Sequence, residues 1–145
     1  MREINAKGLA IIKESEGLSL VPYFCPGNVL SIGFGNTTHA AEYDMITEQQ
    51  AEEFLKEDLE MVQQHLAIVL QHVPLTDNQW SALVSFVFNI GIGNFIQSTL
   101  KRKLKEGDYQ GAADEFGRWV YAKGKKLNGL IIRRAKERSL FLETT

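Results

Sequence analysis

The hydrophobic period of this chain changes twice, and the two changes restrict it to an α+β architecture. Residues 5–15 read as a helix: Asn5 suits its N-cap, Leu9, Ile11 and Ile12 share a face, and Gly17 follows its end. From Pro22 to about Tyr43, aromatic and β-branched residues are punctuated by Pro-Gly, Gly33, Gly35 and Asn-Thr-Thr, the pattern of short strands joined by tight turns. From residue 47 the helical period returns. TEQQ (47–50) has the Thr-x-x-Gln form of a capping box, and TDNQ (76–79) repeats it. The segment WSALVSFVFNIG then leaves almost no polar face and is expected at the centre of a helical core. Further helices are expected at about 94–105, 109–119 and 129–142.

A helix, a small sheet and a return to helices predict one domain, 1–145, in two lobes with a cleft between them. Residues of about 16–46 form the β lobe, and 1–15 with 47–145 form the mainly helical one. Glu16 and the sheet would line one wall of the cleft and the C-terminal helices the other.

Composition excludes several classes. With 145 residues, 44% hydrophobic and 23% charged, the chain can bury a real core and is not a disordered segment. No apolar run approaches the roughly 20 residues needed to span a bilayer. The first residues lack the apolar core of a signal peptide, so a cytoplasmic start is expected. One cysteine excludes an intramolecular disulfide and a multi-cysteine zinc site. Charge is unevenly spread: residues 1–100 hold four bases against twelve acids, a net −8, and residues 101–138 hold twelve bases against five acids, a net +7. Such a basic segment can face an anionic partner or form a solvated helix face.

The stretch SEGLSLVPYFCPGNVLSIGFGN concentrates the residues capable of chemistry. Glu16 sits where the first helix ends, beside Leu18 and Leu20. The negative end of the helix dipole and partial burial both disfavour a charged carboxyl there, which suits a general acid. Cys25 follows after eight residues and Ser31 after five more. Spacing alone does not place these three groups together, but a helix turning into a hairpin can.

The same stretch resembles the active-site region of tailed-phage endolysins of the lysozyme (muramidase) type, with a Glu-x8-Asp/Cys-x5-Thr site. Their pattern is Glu-Gly-x-x-Leu-x-x-Tyr, then Asp or Cys, then Thr-Ile-Gly-x-Gly-His; here it stands as EGLSLVPYFC and SIGFGN. The segments LTDNQWSALVSFVFNIG, FIQSTLKRKL, GDYQGAADEFGRWVYAKGK and GLIIRRAKERSLF also look like family blocks in family order, so the resemblance covers nearly the whole chain.

The resemblance implies a lysozyme-like fold and hydrolysis of the β-1,4 bond between N-acetylmuramic acid and N-acetylglucosamine in peptidoglycan. Glu16 would be the general acid, Cys25 a base or charge stabiliser, and Ser31 the group that orients water. Phe88, Asn89, Ser98 and Thr99 fall on positions that could contact sugar. The resemblance further implies no cofactor or metal, a monomer, no nucleic acid, and a wait in the host cytoplasm until a separate holin opens the membrane. Two positions depart from the pattern. Ser31 replaces Thr and loses the methyl that restricts its rotamer. Asn36 replaces His and cannot carry a charge. An ordinary thiol, with a pKa of about 8.5, is also mostly neutral at pH 7, unlike an Asp.

Other residues read as structural. Gly33 and Gly35 serve backbone geometry, because GFG precedes no helix and lacks phosphate-loop features. His39, His65 and His72 have no metal spacing, and Trp80 and Trp119 read as core. Arg133 and Arg134 are expected on the basic cleft wall or at a solvated helix end. Two rival functions are a wall-binding protein without catalysis and a DNA-binding helix-hairpin-helix module built on NIGIGNF, although the acidic first 100 residues oppose the latter.

Overall fold

The computed structural model describes residues 2–25 and 28–144. In chain order they form α1 (Ala6–Glu16), β1 (Ser19–Phe24), β2 (Leu30–Gly33), α2 (Glu48–Val69), α3 (Asp77–Ile90), α4 (Ile92–Ile96) and α5 (Thr99–Lys105). Then come α6 (Tyr109–Glu115), a 3-10 turn (Phe116–Arg118), β3 (Tyr121–Ala122), β4 (Lys125–Lys126) and α7 (Asn128–Leu142). Two compact units result: Lys13–Met61, and the residues up to Ile12 together with those from Val62 onward.

In the smaller unit β1 and β2 pair antiparallel, with Tyr23 opposite Ser31, Phe24 opposite Leu30, and an irregularity between Ser19 and Tyr23. Pro22, which has no N–H to give a ladder, lies in that irregular stretch. Regular strand ends earlier than the sequence suggests. After Gly33 the chain turns back so that Ile32 and Asn36 exchange backbone bonds of 2.9 Å, and residues 37–46 run as turns and bends. The reason is Asn36, which is 1% exposed. Its amide donates to Asp58 Oδ2 at 3.0 Å and its carbonyl accepts from His39 N at 2.8 Å, fastening the turn to α2. Burial raises the Asp58 pKa, and the bond from Asn36 opposes that rise. His39 stacks on Phe54 with ring centroids 4.3 Å apart. Hydrogen bonds to Glu42 and then Glu57 raise its pKa above the ordinary histidine value. Ile32, Ile46, Ala51, Phe54 and Leu55 form the core of this unit.

The expected helix starts are built as side-chain caps. Asn5 Oδ1 accepts from Gly8 N at 3.0 Å. Thr47 and Gln50 bond each other's backbone N–H reciprocally, and so do Thr76 and Gln79. In the larger unit α3 is buried along nearly its whole length and packs on α7, while α5 packs on α6. Trp80 belongs to this core at 4% exposure, and Trp119 is half-buried with its edge toward Phe86.

Three expectations for the C-terminal half are corrected. The helix over 94–105 is two helices, because Ser98 Oγ donates to Phe95 O at 2.7 Å and caps α5 through Lys101 N at 3.1 Å. The helix over 109–119 ends at Glu115 in the 3-10 turn, and an unexpected hairpin follows at Lys123-Gly124, both at positive φ. Arg133 and Arg134 line no solvated surface: they are 3% and 1% exposed and share Glu137, itself fully buried. Arg133 Nε lies 3.2 Å from Glu137 Oε2 and its Nη2 donates to the Ser85 carbonyl at 2.9 Å. Ser85 Oγ donates to Glu137 Oε2 at 2.6 Å. Arg134 donates to Glu137 Oε1, to Asn89 Oδ1 and, at 2.9 Å, to the Trp119 carbonyl. Burial pulls the Arg134 pKa down; Glu137 opposes that shift and Arg133 adds to it.

Candidate active site

Glu16 is the last residue of α1, and the helix stops there because Gly17, at φ +69°, closes onto the Lys13 carbonyl at 2.9 Å. The chain enters β1 two residues later, so the carboxyl stands at the foot of the hairpin. Gly35 lies against it. Its φ is +83°, and a Cβ placed there would sit 2.9 Å from Glu16 Oε1. Only glycine meets both the backbone and the space requirement. Gly35→Ala is therefore expected to lower stability by about 1–2 kcal/mol and, by displacing the carboxyl, to lower turnover roughly tenfold or more. Thermal unfolding and initial rates check the two effects separately.

Cys25 follows the last residue of β1. Its N–H donates to Val29 O at 2.9 Å and its carbonyl accepts from Asn28 N at 2.7 Å, which ties Cys25 to the chain leading into β2. Its Sγ lies 2.9 Å from Ser31 Oγ, and either atom can donate. Ser31 is fully buried and has a second acceptor, Val29 O, at 3.3 Å. The spacing of the sequence thus becomes a contact between two of the three expected residues.

Tyr23 was missing from the expected set. Its phenol pKa is pushed up to about 12, first by burial, then by the charges of Cys25 and Glu16, with a side-chain hydrogen bond to Cys25 adding to the rise. Strand alternation was the available signal: Tyr23 and Cys25 are two residues apart and share a face. Glu16, Tyr23, Cys25 and Ser31 thus form one cluster in the smaller unit.

The four sugar-contact candidates lie in the larger unit. Phe88 is half-buried and Asn89 exposed in the last turn of α3, with Asn89 Oδ1 already accepting from Arg134. The Ser98 hydroxyl is used in capping α5. Thr99 is exposed and lines a shallow pocket of about 270 Å³ with Leu100, Glu115, Arg118 and Trp119. Among the described residues no group of three His, Cys, Asp or Glu side chains could hold a metal, and no helix is long and apolar enough to cross a membrane.

Chemically, the cluster offers a carboxyl that can give or take a proton and, across the hairpin, a polarisable sulfur tied to a hydroxyl. Comparison with known proteins agrees along the chain. The phage lysozyme family matches residues 13–137. An endolysin of Acyrthosiphon pisum secondary endosymbiont phage 1 is 47% identical over 142 residues, covering 95% of this chain and 97% of its own. The endolysin of Salmonella phage P22 is 39% identical over 147 residues, covering 98% and 99%. Among solved structures, the muramidase domain of SpmX from Asticaccaulis excentricus superposes with a TM-score of 0.90 at 38% identity, covering 99% of this chain and all of the other. The α+β fold is therefore lysozyme-like, and the chain belongs to the phage lysozyme family.

Proposed function

We propose that this chain is a lytic endolysin, a lysozyme that hydrolyses the β-1,4 bond between N-acetylmuramic acid and N-acetylglucosamine in peptidoglycan. Glu16 protonates the glycosidic oxygen as the bond breaks, giving an oxocarbenium-like transition state. Cys25 acts as a weak base or charge stabiliser on the opposite side, and Ser31, in contact with the sulfur, helps orient the attacking water. Phe88, Asn89, Ser98 and Thr99 are proposed to serve sugar binding, with Asn89 set by Arg134 and Ser98 acting through the position of α5. The same reading has the enzyme, a monomer without cofactor, held in the host cytoplasm until a separate holin admits it to the wall. The observation that carries this proposal is the contact of Cys25 with Ser31 in a cluster with Glu16, in a chain whose endolysin relatives match along almost its full length.

The test is turnover on purified peptidoglycan with a series at Cys25. Cys25→Ala and thiol alkylation are expected to lower the rate roughly a hundredfold, as loss of a base or charge does. Cys25→Asp is expected to keep most of it. Undiminished turnover in Cys25→Ala would remove the sulfur from the mechanism and leave it a packing role. Binding to peptidoglycan with no cleavage by the unmodified chain would favour a non-catalytic wall-binding protein.

A further inference from the structure

We propose that Arg134 is a positioning residue for Asn89: it holds the asparagine amide so that the Nδ2 hydrogens face outward, as fixed donors for an amide carbonyl of the substrate. This deepens the reading of Asn89 as a substrate contact and rests on it.

The orientation follows from the chemistry of the pair. A guanidinium has five N–H donors and no acceptor, so the edge of the amide that meets it must be the oxygen. Arg134 Nη2 donates to Asn89 Oδ1, which leaves the amide nitrogen on the edge turned away from the guanidinium. Asn89 is exposed in the last turn of α3, and among the described residues its Nδ2 has no acceptor.

The guanidinium itself has little freedom. Arg134 is 1% exposed, and each of its three nitrogens serves a different acceptor. Nε donates to the Trp119 carbonyl at 2.9 Å, just past the 3-10 turn, Nη1 to Glu137 Oε1 on α7, and Nη2 to Asn89 on α3. Its Cζ also lies 5.0 Å from the ring centre of Phe86, which is buried one turn before Asn89. An exposed asparagine ordinarily turns its amide freely. Here the orientation is set before a ligand arrives, which removes part of the ordering cost of binding.

Such a donor selects what it meets. A hydroxyl donates or accepts and so fits either edge of an amide, whereas an amide carbonyl only accepts and needs the nitrogen edge. Peptidoglycan offers that group in two places, the acetamido groups of its sugars and the peptide bonds of its stems.

The test uses Asn89→Asp in the full chain, which keeps the shape and the oxygen that Arg134 holds and replaces the outward donor with an acceptor. On soluble peptidoglycan strands KM is expected to rise about tenfold, with kcat nearly unchanged. A rise on strands with and without stem peptides identifies the acetamido carbonyl, and a rise only on strands that carry stems identifies the stem carbonyl. An unchanged KM on both overturns the proposal. Arg134→Lys is expected to raise KM about fivefold in the native background and to add nothing in the Asn89→Ala background; an equal rise in both would make Arg134 merely structural and overturn it. Should Arg134→Lys not fold, the NMR order parameter of the Asn89 side-chain amide in the unmodified chain decides. A value near that of rigid backbone supports the proposal, and one below about 0.6 overturns it. Failure of the broader reading looks different: the unmodified chain would cleave neither kind of strand, while the order of the amide would still report whether Arg134 holds Asn89.

Discussion

Glu137→Ala is expected to destabilise the folded chain by about 3–5 kcal/mol, the cost of removing one partner from a buried ion pair. Glu137 has no exposed surface and serves two guanidinium groups that are themselves almost wholly buried. Removing it leaves Arg133 and Arg134 beside each other without the anion they share, in a place water does not reach. The Ser85 hydroxyl, 2.6 Å from the same carboxylate, loses its acceptor as well. Arg138 and Asp114 supply the control. That pair, at 2.9 Å, is largely exposed on both sides, so Arg138→Ala is expected to cost no more than about 1 kcal/mol. Denaturant titration of both variants makes the comparison. A loss below about 1 kcal/mol in Glu137→Ala would mean that the arginines find other partners. Because Arg134 also bonds Asn89 and the Trp119 carbonyl, the same substitution should disturb the end of α3 and the 3-10 turn.

This network shows where sequence reading ends. Glu137 lies four and three residues after Arg133 and Arg134, the spacing of an ordinary solvated helix pair. Their partners across the fold are Ser85 and Asn89 on α3, 48 and 45 positions earlier, and no local pattern announces that meeting. The helix starts were legible because a capping box is written within four residues, as at Thr47–Gln50 and Thr76–Gln79. The break at Ser98 uses similar chemistry, but its hydroxyl sits inside an apolar period that reads as continuous. The hairpin after Val120 was hidden for another reason: strands of two residues are too short to show a period of two.

In the candidate cluster, family-like spacing singled out Glu16, Cys25 and Ser31, and the end of α1 and the register of β1 with β2 place them in one unit. Tyr23 stood in the quoted motif as its closing Tyr but carried no assigned role. The Gly35 requirement was half visible. A turn glycine was expected, but its closeness to the Glu16 carboxyl exists only once α1 and the hairpin are in place.

The largest effect on activity is expected at Glu16. Glutamine matches glutamate in size and shape, so Glu16→Gln keeps the contact with Gly35 and the end of α1. It removes the carboxyl that the proposed mechanism uses as its acid. Loss of a general acid costs roughly 10²- to 10⁴-fold in rate, and the Tyr23 phenol, its pKa pushed up to about 12, is too weak an acid to replace it. Thermal unfolding of Glu16→Gln, measured beside that of the unmodified chain, separates chemistry from folding.

The most direct measurement is the release of new reducing ends from purified peptidoglycan by the unmodified chain and by Glu16→Gln under the same conditions. The proposed mechanism predicts steady release at N-acetylmuramic acid by the first and a rate at least about a hundredfold lower by the second. Comparable release by both would contradict the assignment of Glu16 as the acid.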